Sequence, residues 1–351
     1  MVSRGILKYA STLLMRVGNN IIQPISRRIT TTSKNLTLLD FEKQTVPKRR
    51  SLAQAFLNLE QLDPNLYRAH ELMRGRKSME AVYGGQVIAH SLNAASATVA
   101  TEFIPHSLHC YFIKSGTVMA PILYQIDRVR NGRSFCTRCV KATQNGDTIF
   151  TAQISFHKRE RDSIRHETPL PNVIGPENLK NIQTLMIEAI ADETSSIDEV
   201  HRKIIQHKFA ELLPTLTKDF EVRPIDGERY IFKKLDPTLN LQFHIWLKAR
   251  EHIGDDFFLQ RCLAAYVSDS MMMETSLLPH FGRKFIPSMV FSLDHSLWFH
   301  RPEFHIDEWM LFETESPCAA GSRAFSTARL WTRDGTLVLS VAQEGLVRSR
   351  L

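Results

Sequence analysis

The chain states one pattern twice. Residues 106–112 read HSLHCYF and are followed, after a gap, by RSFCTRCVKATQNGDTIFTAQISF over 133–156. About 190 residues later, 295–301 read HSLWFHR and 322–346 read SRAFSTARLWTRDGTLVLSVAQEGL. Each copy holds a short apolar strand, a gap and a two-strand hairpin, turning at Asn145-Gly146 in one and Asp334-Gly335 in the other. A period this long exceeds a solenoid unit, so it predicts a duplicated domain with one copy packed on the other.

The copies differ in the polar residues they carry. The second has Asp269, Ser292 and Gln343 on segments able to converge, whereas the first has Tyr83-Gly84-Gly85-Gln86, with no acid, at the helix start taken as the match. Two copies are therefore expected to keep one working site.

With 351 residues, 43% apolar and 23% charged, the chain is long enough for two ordinary cores. Its net charge of +7 suggests an acidic polymer as partner only until it is located. Residues 1–40 hold Arg4, Lys8, Arg16, Arg27, Arg28 and Lys34 against Asp40 alone. The other 311 residues carry 38 of the 44 basic and 36 of the 37 acidic side chains, so the body is nearly neutral and nucleic-acid binding is not expected. No run of eighteen apolar residues occurs, so no membrane span is expected.

The ends of the chain suggest addresses. The leader is rich in Arg, Ser and Thr and free of acids up to Asp40, which is transit-peptide composition. Ser349-Arg350-Leu351 is a conservative form of the Ser-Lys-Leu peroxisomal address, to be read by an import receptor. A peroxisomal matrix location is expected, with mitochondrial targeting by the leader as the alternative.

Five cysteines without a secretory signal fit a reducing compartment. Cys136 and Cys139 lie on strand-like sequence, where their spacing sends them to opposite faces, and no second pair completes a zinc site. His295, His300 and His305 lack the spacing of a metal motif and are read as core or solvated side chains.

Element signals divide the chain into a leader (1–40), a first domain (41–157), a linker (158–228) with an amphipathic stretch near 182–213, and a second domain (229–351). Helices are predicted at 52–62, from Gly84 through Ala95, and over 255–278. Strands are predicted at 106–113, 121–130, 134–143 and 148–157, then at 288–299, 309–315, 323–332 and 336–347. Each copy is thus an α+β unit, a helix with an antiparallel sheet able to curl round it.

GxSxG, GxGxxG, Walker and HExxH motifs are absent, which removes several hydrolase, dinucleotide and metal chemistries. The segments YGGQVIAHSL, PHSLHCYFIKSG, LYQIDRVRNGRSFCTRCVKATQNG, YVSDSMMMETSLLPH, SLDHSLWFHRP and SVAQEGLVR together resemble the type II acyl-CoA thioesterases, the thioesterase B group, over roughly 52–348. The resemblance implies a double hotdog fold and hydrolysis of acyl-CoA to fatty acid and coenzyme A, with no cofactor and no metal. It places the family's catalytic aspartate on Asp269 of YVSD, its hydroxyl residue on Ser292 of SLDHS and its glutamine on Gln343. Serine in place of threonine at the second position fits the eukaryotic members.

These residue types suit the chemistry. A thioester carbonyl is already electrophilic, so hydrolysis needs a held water, a base and donors for the oxyanion. Asp269 is the expected base, Ser292 and Gln343 hold the water or the carboxylate, and the helix start at Gly84, Gly85 and Gln86 offers N–H groups to the substrate oxygen. Asp294 is the rival carboxylate. A homo-oligomer is expected. The alternatives are a hydratase on a related fold, whose Asp-x-Asn-Pro-x-His context is missing, and a catalytically idle module that binds acyl-CoA or a protein partner.

Overall fold

The computed structural model describes residues 58–192, 197–211, 217–233, 241–281 and 285–349. The basic leader and the Arg350 and Leu351 of the terminal tripeptide lie outside these residues. The first repeat comprises β1 (Leu59–Asp63), β2 (Leu66–Ala69), α1 (Gly84–Ser96), β3 (Phe103–Phe112), β4 (Ile122–Asn131), β5 (Phe135–Gln144) and β6 (Asp147–Lys158). Helices α2 (Ile182–Ala191) and α3 (Glu199–Glu211) follow. Then come β7 (Phe220–Pro224), α4 (Gly227–Tyr230), β8 (Gln242–Ala249), α5 (Phe257–Ser268), α6 (Met272–Phe281) and β9 (Pro287–Ser292). The chain closes with β10 (Asp294–Phe299), β11 (Met310–Ala320), β12 (Arg323–Thr332) and β13 (Leu337–Ser349).

One antiparallel sheet joins both repeats in the order β1-β2-β4-β5-β6-β3-β10-β13-β12-β11-β8-β7, with β9 on β13. The second six strands repeat the first six in reverse. At the centre Leu108 of β3 faces Leu297 of β10, and these are the matching leucines of the two HSL segments, so a pseudo-twofold axis passes between them.

Each half of the sheet carries one helix. Nearly every residue of α1 from Gly85 to Ala95 and of α5 from Leu259 to Ser268 is buried, which their small residues Ala89, Ala94, Ala95, Ala264 and Ala265 permit. This is a double hotdog, two helices each backed by its own half-sheet. The hairpin turn at Asn145-Gly146 has φ of 52° and 87°, the two left-handed residues that a type I′ turn demands.

Four expectations are corrected. The helix over 52–62 is strand β1 at its described end, held to β2 by the Pro64-Asn65 turn and by Arg68 bonding Glu60 directly opposite at 2.7 Å. The helix over 255–278 is two helices, broken after Ser268. The Ser270 hydroxyl there donates to the Val267 carbonyl at 2.6 Å, competing with the helical ladder, and the Ser268 hydroxyl lies 2.8 Å from the Ala265 carbonyl. The strand over 288–299 is broken at Leu293. Ser292 faces Gly345 while Ser296 faces Ala342, so the stretch joining β9 to β10 carries one residue more than β13 opposite it, a bulge that re-aims Ser292. Inside the expected linker, α2 and α3 occupy the amphipathic stretch and β7 already pairs with β8 in the sheet.

Candidate active site

The break after α5 puts Asp269 at the C-cap of that helix, and the bulge puts Ser292 on the last residue of β9, beside Gln343 of β13. The three meet in a closed triangle. Ser292 Oγ donates to Asp269 Oδ1 at 3.1 Å, and Gln343 Nε2 donates to the same oxygen at 3.2 Å and to Ser292 Oγ at 2.6 Å. Gln343 is wholly buried, whereas Asp269 and Ser292 keep part of their surface accessible.

The carboxyl of Asp269 is completed from the other repeat. The backbone N–H of Gly85, in the first turn of α1, donates to it. Helix α1 has no side-chain cap of its own, since its N-cap is Tyr83, so Asp269 caps it in trans. The tyrosine instead ties the two helices together. Its hydroxyl donates to the carbonyl of Tyr266 at 3.0 Å, and the two rings meet edge to face at 4.8 Å.

Both glycines are sterically required at this junction. A β-carbon on Gly84 would lie 2.8 Å from Asp269 Oδ2, and one on Gly85 would run into the Tyr266 carbonyl. Gln86 serves otherwise, accepting from Met73 N at 2.7 Å and donating to the Glu71 carbonyl at 2.8 Å, so its side chain anchors the loop ahead of α1.

Burial pushes the Asp269 carboxyl up to about 6, against the lowering contributed by Ser292, Gln343 and the Gly85 N–H. At neutral pH it is mainly ionised and basic enough to accept a proton. Asp294 is also raised by burial, but its Oδ1 accepts from the Glu344 N–H at 2.7 Å, which ties it to the strand backbone.

Sequence reasoning missed His295. It is wholly buried, with Nδ1 2.7 Å from Gln343 Oε1 and Nε2 2.9 Å from Ser268 Oγ. Its signal was its place three residues after Ser292, but a buried histidine next to an apolar strand reads equally as core. His300 and His305 lie elsewhere, His300 on Ser340 and His305 beside Gln260. Cys136 is buried and Cys139 half-buried, both as free thiols. Among the described residues no helix is long and apolar enough to cross a membrane. The matching helix start also needs correction: Asp269 ends α5, and the residue that starts α5 as Tyr83 starts α1 is Asp256.

A duplicated hotdog sheet carrying one helix on each half defines the class of double hotdog proteins. Family models described as "Acyl-CoA thioesterase" and "Acyl-CoA thioesterase N-terminal domain" match residues 226–346 and 73–157. "Acyl-coenzyme A thioesterase 8" of Rattus norvegicus is 38% identical over 303 residues, covering 86% of this chain and 90% of its own. "Peroxisomal acyl-coenzyme A thioester hydrolase 1" of Saccharomyces cerevisiae is 26% identical over 338 residues, covering 84% and 93%. The crystal structure of the acyl-CoA thioesterase II TesB2 from Mycobacterium marinum is 30% identical and matches with a TM-score of 0.65 over 86% of this chain and 98% of that one. This chain belongs to the type II acyl-CoA thioesterase family.

Proposed function

We infer that this protein hydrolyses fatty acyl-CoA to the free fatty acid and coenzyme A, with Asp269 as the general base. The observation that carries the reading is the carboxylate itself, raised to about 6 and held by three donors at the seam of the two repeats. Water held by Asp269 and Ser292 loses a proton to the carboxylate as its oxygen attacks the thioester carbon. The tetrahedral intermediate then collapses, the carbon–sulfur bond breaks, and the proton passes to the departing thiolate. Gln343 holds the base and the hydroxyl in register. The amides of the α1 start divide their work: Gly85 N–H binds Asp269 and Gln86 N–H bonds the Tyr83 carbonyl at 3.1 Å, which leaves Gly84 N–H to meet the developing oxyanion.

Thiol release from acyl-CoA substrates of short to very long chain tests the activity and gives the chain-length preference. Asp269→Asn is expected to lower turnover by ~10²-fold to 10⁴-fold, the contribution of general base catalysis. A folded Asp269→Asn protein releasing thiol near the wild-type rate overturns the assignment of the base. Acyl-CoA binding without thiol release by the wild type supports an idle binding module instead.

The proposed compartment is the peroxisome, on the strength of Ser349-Arg350-Leu351 and of the yeast relative's own name. Removing Leu351 from a fluorescently tagged chain is then expected to release it to the cytosol or mitochondria. A mitochondrial signal unchanged by that deletion identifies the leader as the address.

A further inference from the structure

Gln343 has a symmetric difficulty. Its amide is nearly the same shape either way round, yet only one orientation presents N–H groups to the Asp269 carboxylate. We propose that Ser268 and His295 are positioning residues that set this orientation, through a chain running hydroxyl, imidazole, amide, carboxylate. The proposal rests on the reading of Asp269 as the base.

The chain follows from proton counting. His295 is wholly buried, and burial holds its imidazole down at about 4, so it is neutral with a single N–H when the enzyme works. With that proton on Nδ1, it donates to Gln343 Oε1 at 2.7 Å. Both hydrogens of Gln343 Nε2 are then free for Asp269 Oδ1 and Ser292 Oγ, at 3.2 and 2.6 Å. The bare Nε2 of the imidazole must accept, and the Ser268 hydroxyl stands 2.9 Å from it.

The opposite sense is also self-consistent. Ser268 Oγ lies 2.8 Å from the Ala265 carbonyl, and its one proton serves either acceptor. Were it to turn to Ala265, the imidazole proton would sit on Nε2 and Nδ1 would face Oε1 lone pair to lone pair. The amide would then turn over and set its oxygen against the carboxylate. Only the first sense suits an ionised Asp269, so the orientation of Gln343 governs the pH at which the base is ready.

Other groups around the chain stay neutral or stand aside. Asp269 faces the phenols of Tyr83 and Tyr266 and the thiol of Cys110, all pushed upward by burial. The Cys110 thiol donates to the His295 carbonyl at 3.1 Å, and Asp294 is held by the Glu344 N–H.

The test is the pH dependence of kcat/KM in the full chain. His295→Leu is expected to raise the midpoint by about one unit and to cut kcat/KM below it about tenfold, as loss of a donor to a carboxylate does, with KM little changed. Ser268→Ala, the loss of a single oxygen, is expected to move the midpoint the same way by less, and it carries the test if His295→Leu does not fold. His295→Asn, whose amide N–H stands near the place of Nδ1–H, is expected to bring the midpoint back toward wild type. Wild-type midpoints in Ser268→Ala and His295→Leu, or a His295→Asn midpoint as high as that of His295→Leu, overturn the chain while an inactive Asp269→Asn keeps the base. An active Asp269→Asn removes the base, and this inference with it.

Discussion

The two repeats share a backbone plan and differ at the positions of Asp269, Ser292 and Gln343, while His295 has its counterpart in His106. Where α5 is C-capped by Asp269, α1 is C-capped by Ala97. Ser292 stands opposite Gly345, and the matching pair in the first repeat is Phe103 opposite Lys158. Two residues beyond the partner of the central leucine lies Gln343 in the second repeat and Phe156 in the first. The first copy has aromatic side chains in place of Ser292 and Gln343 and an alanine in place of Asp269.

The helix starts differ in the complementary sense. Helix α5 is closed by its own Asp256, whose side chain accepts from Leu259 N at 3.0 Å, while α1 has no side-chain cap of its own and gives its Gly85 N–H to Asp269. The proposed site uses an acid at the end of one helix and an open start on the other. Duplication supplied both ends twice, and divergence kept one of each.

That contrast is broken most forcefully at Gly85. A methyl group there drives the start of α1 away from the Tyr266 carbonyl and takes the N–H from Asp269, so Gly85→Ala is expected to lower turnover by roughly 10²-fold, the scale of a catalytic group misplaced by about 1 Å. Steady-state thiol release alongside a thermal melt separates this from loss of fold, since overpacking alone costs roughly 1–3 kcal/mol.

The second effect is on stability. Asp269 has a folded carboxyl raised to about 6 from an ordinary 3.8, so between those values the folded state holds the proton more tightly than the unfolded chain. Its ionisation therefore costs nothing below pH 3.8, grows through the interval and is complete above 6, reaching about 3 kcal/mol at most. Asp269→Asn is expected to be at least as stable as wild type at pH 7 and to lose that part of the pH dependence, which denaturant melts from pH 4 to 8 measure. An inactive variant that is also less stable at neutral pH would mean that Asp269 holds the helix junction together more than it strains it.

The smallest effect sharpens the comparison from the other side. Asp256→Ala opens the start of α5 and is expected to remove about 1 kcal/mol of stability, the usual contribution of an N-cap, without slowing thiol release. A large loss of turnover would show that the α5 start takes part in the site.

Much of this was legible in the residues because it is local. The first HSL strand, the Asn145-Gly146 hairpin and the Gly84 helix start follow from alternation and turn chemistry, and they fall within three residues of the observed bounds. The breaks that build the site were not legible. Residues 255–278 read as one helix because Ser270 bonds back to Val267 only in the folded context, and 288–299 read as one strand because the bulge at Leu293 is set by pairing to β13 and β3. The trio itself came from family resemblance. His295 and the capping of α1 by Asp269 escaped because both are contacts made across the fold.

The central claim is that the carboxylate at the seam, tuned by burial, is the base. The pH profile of kcat/KM from pH 4.5 to 8 addresses it most directly. Wild-type protein is expected to rise tenfold per pH unit to a midpoint of about 6 and then level off, while Asp269→Asn gives a low profile without that midpoint. A midpoint near 6 that persists in Asp269→Asn would assign the titration to another group and contradict the account.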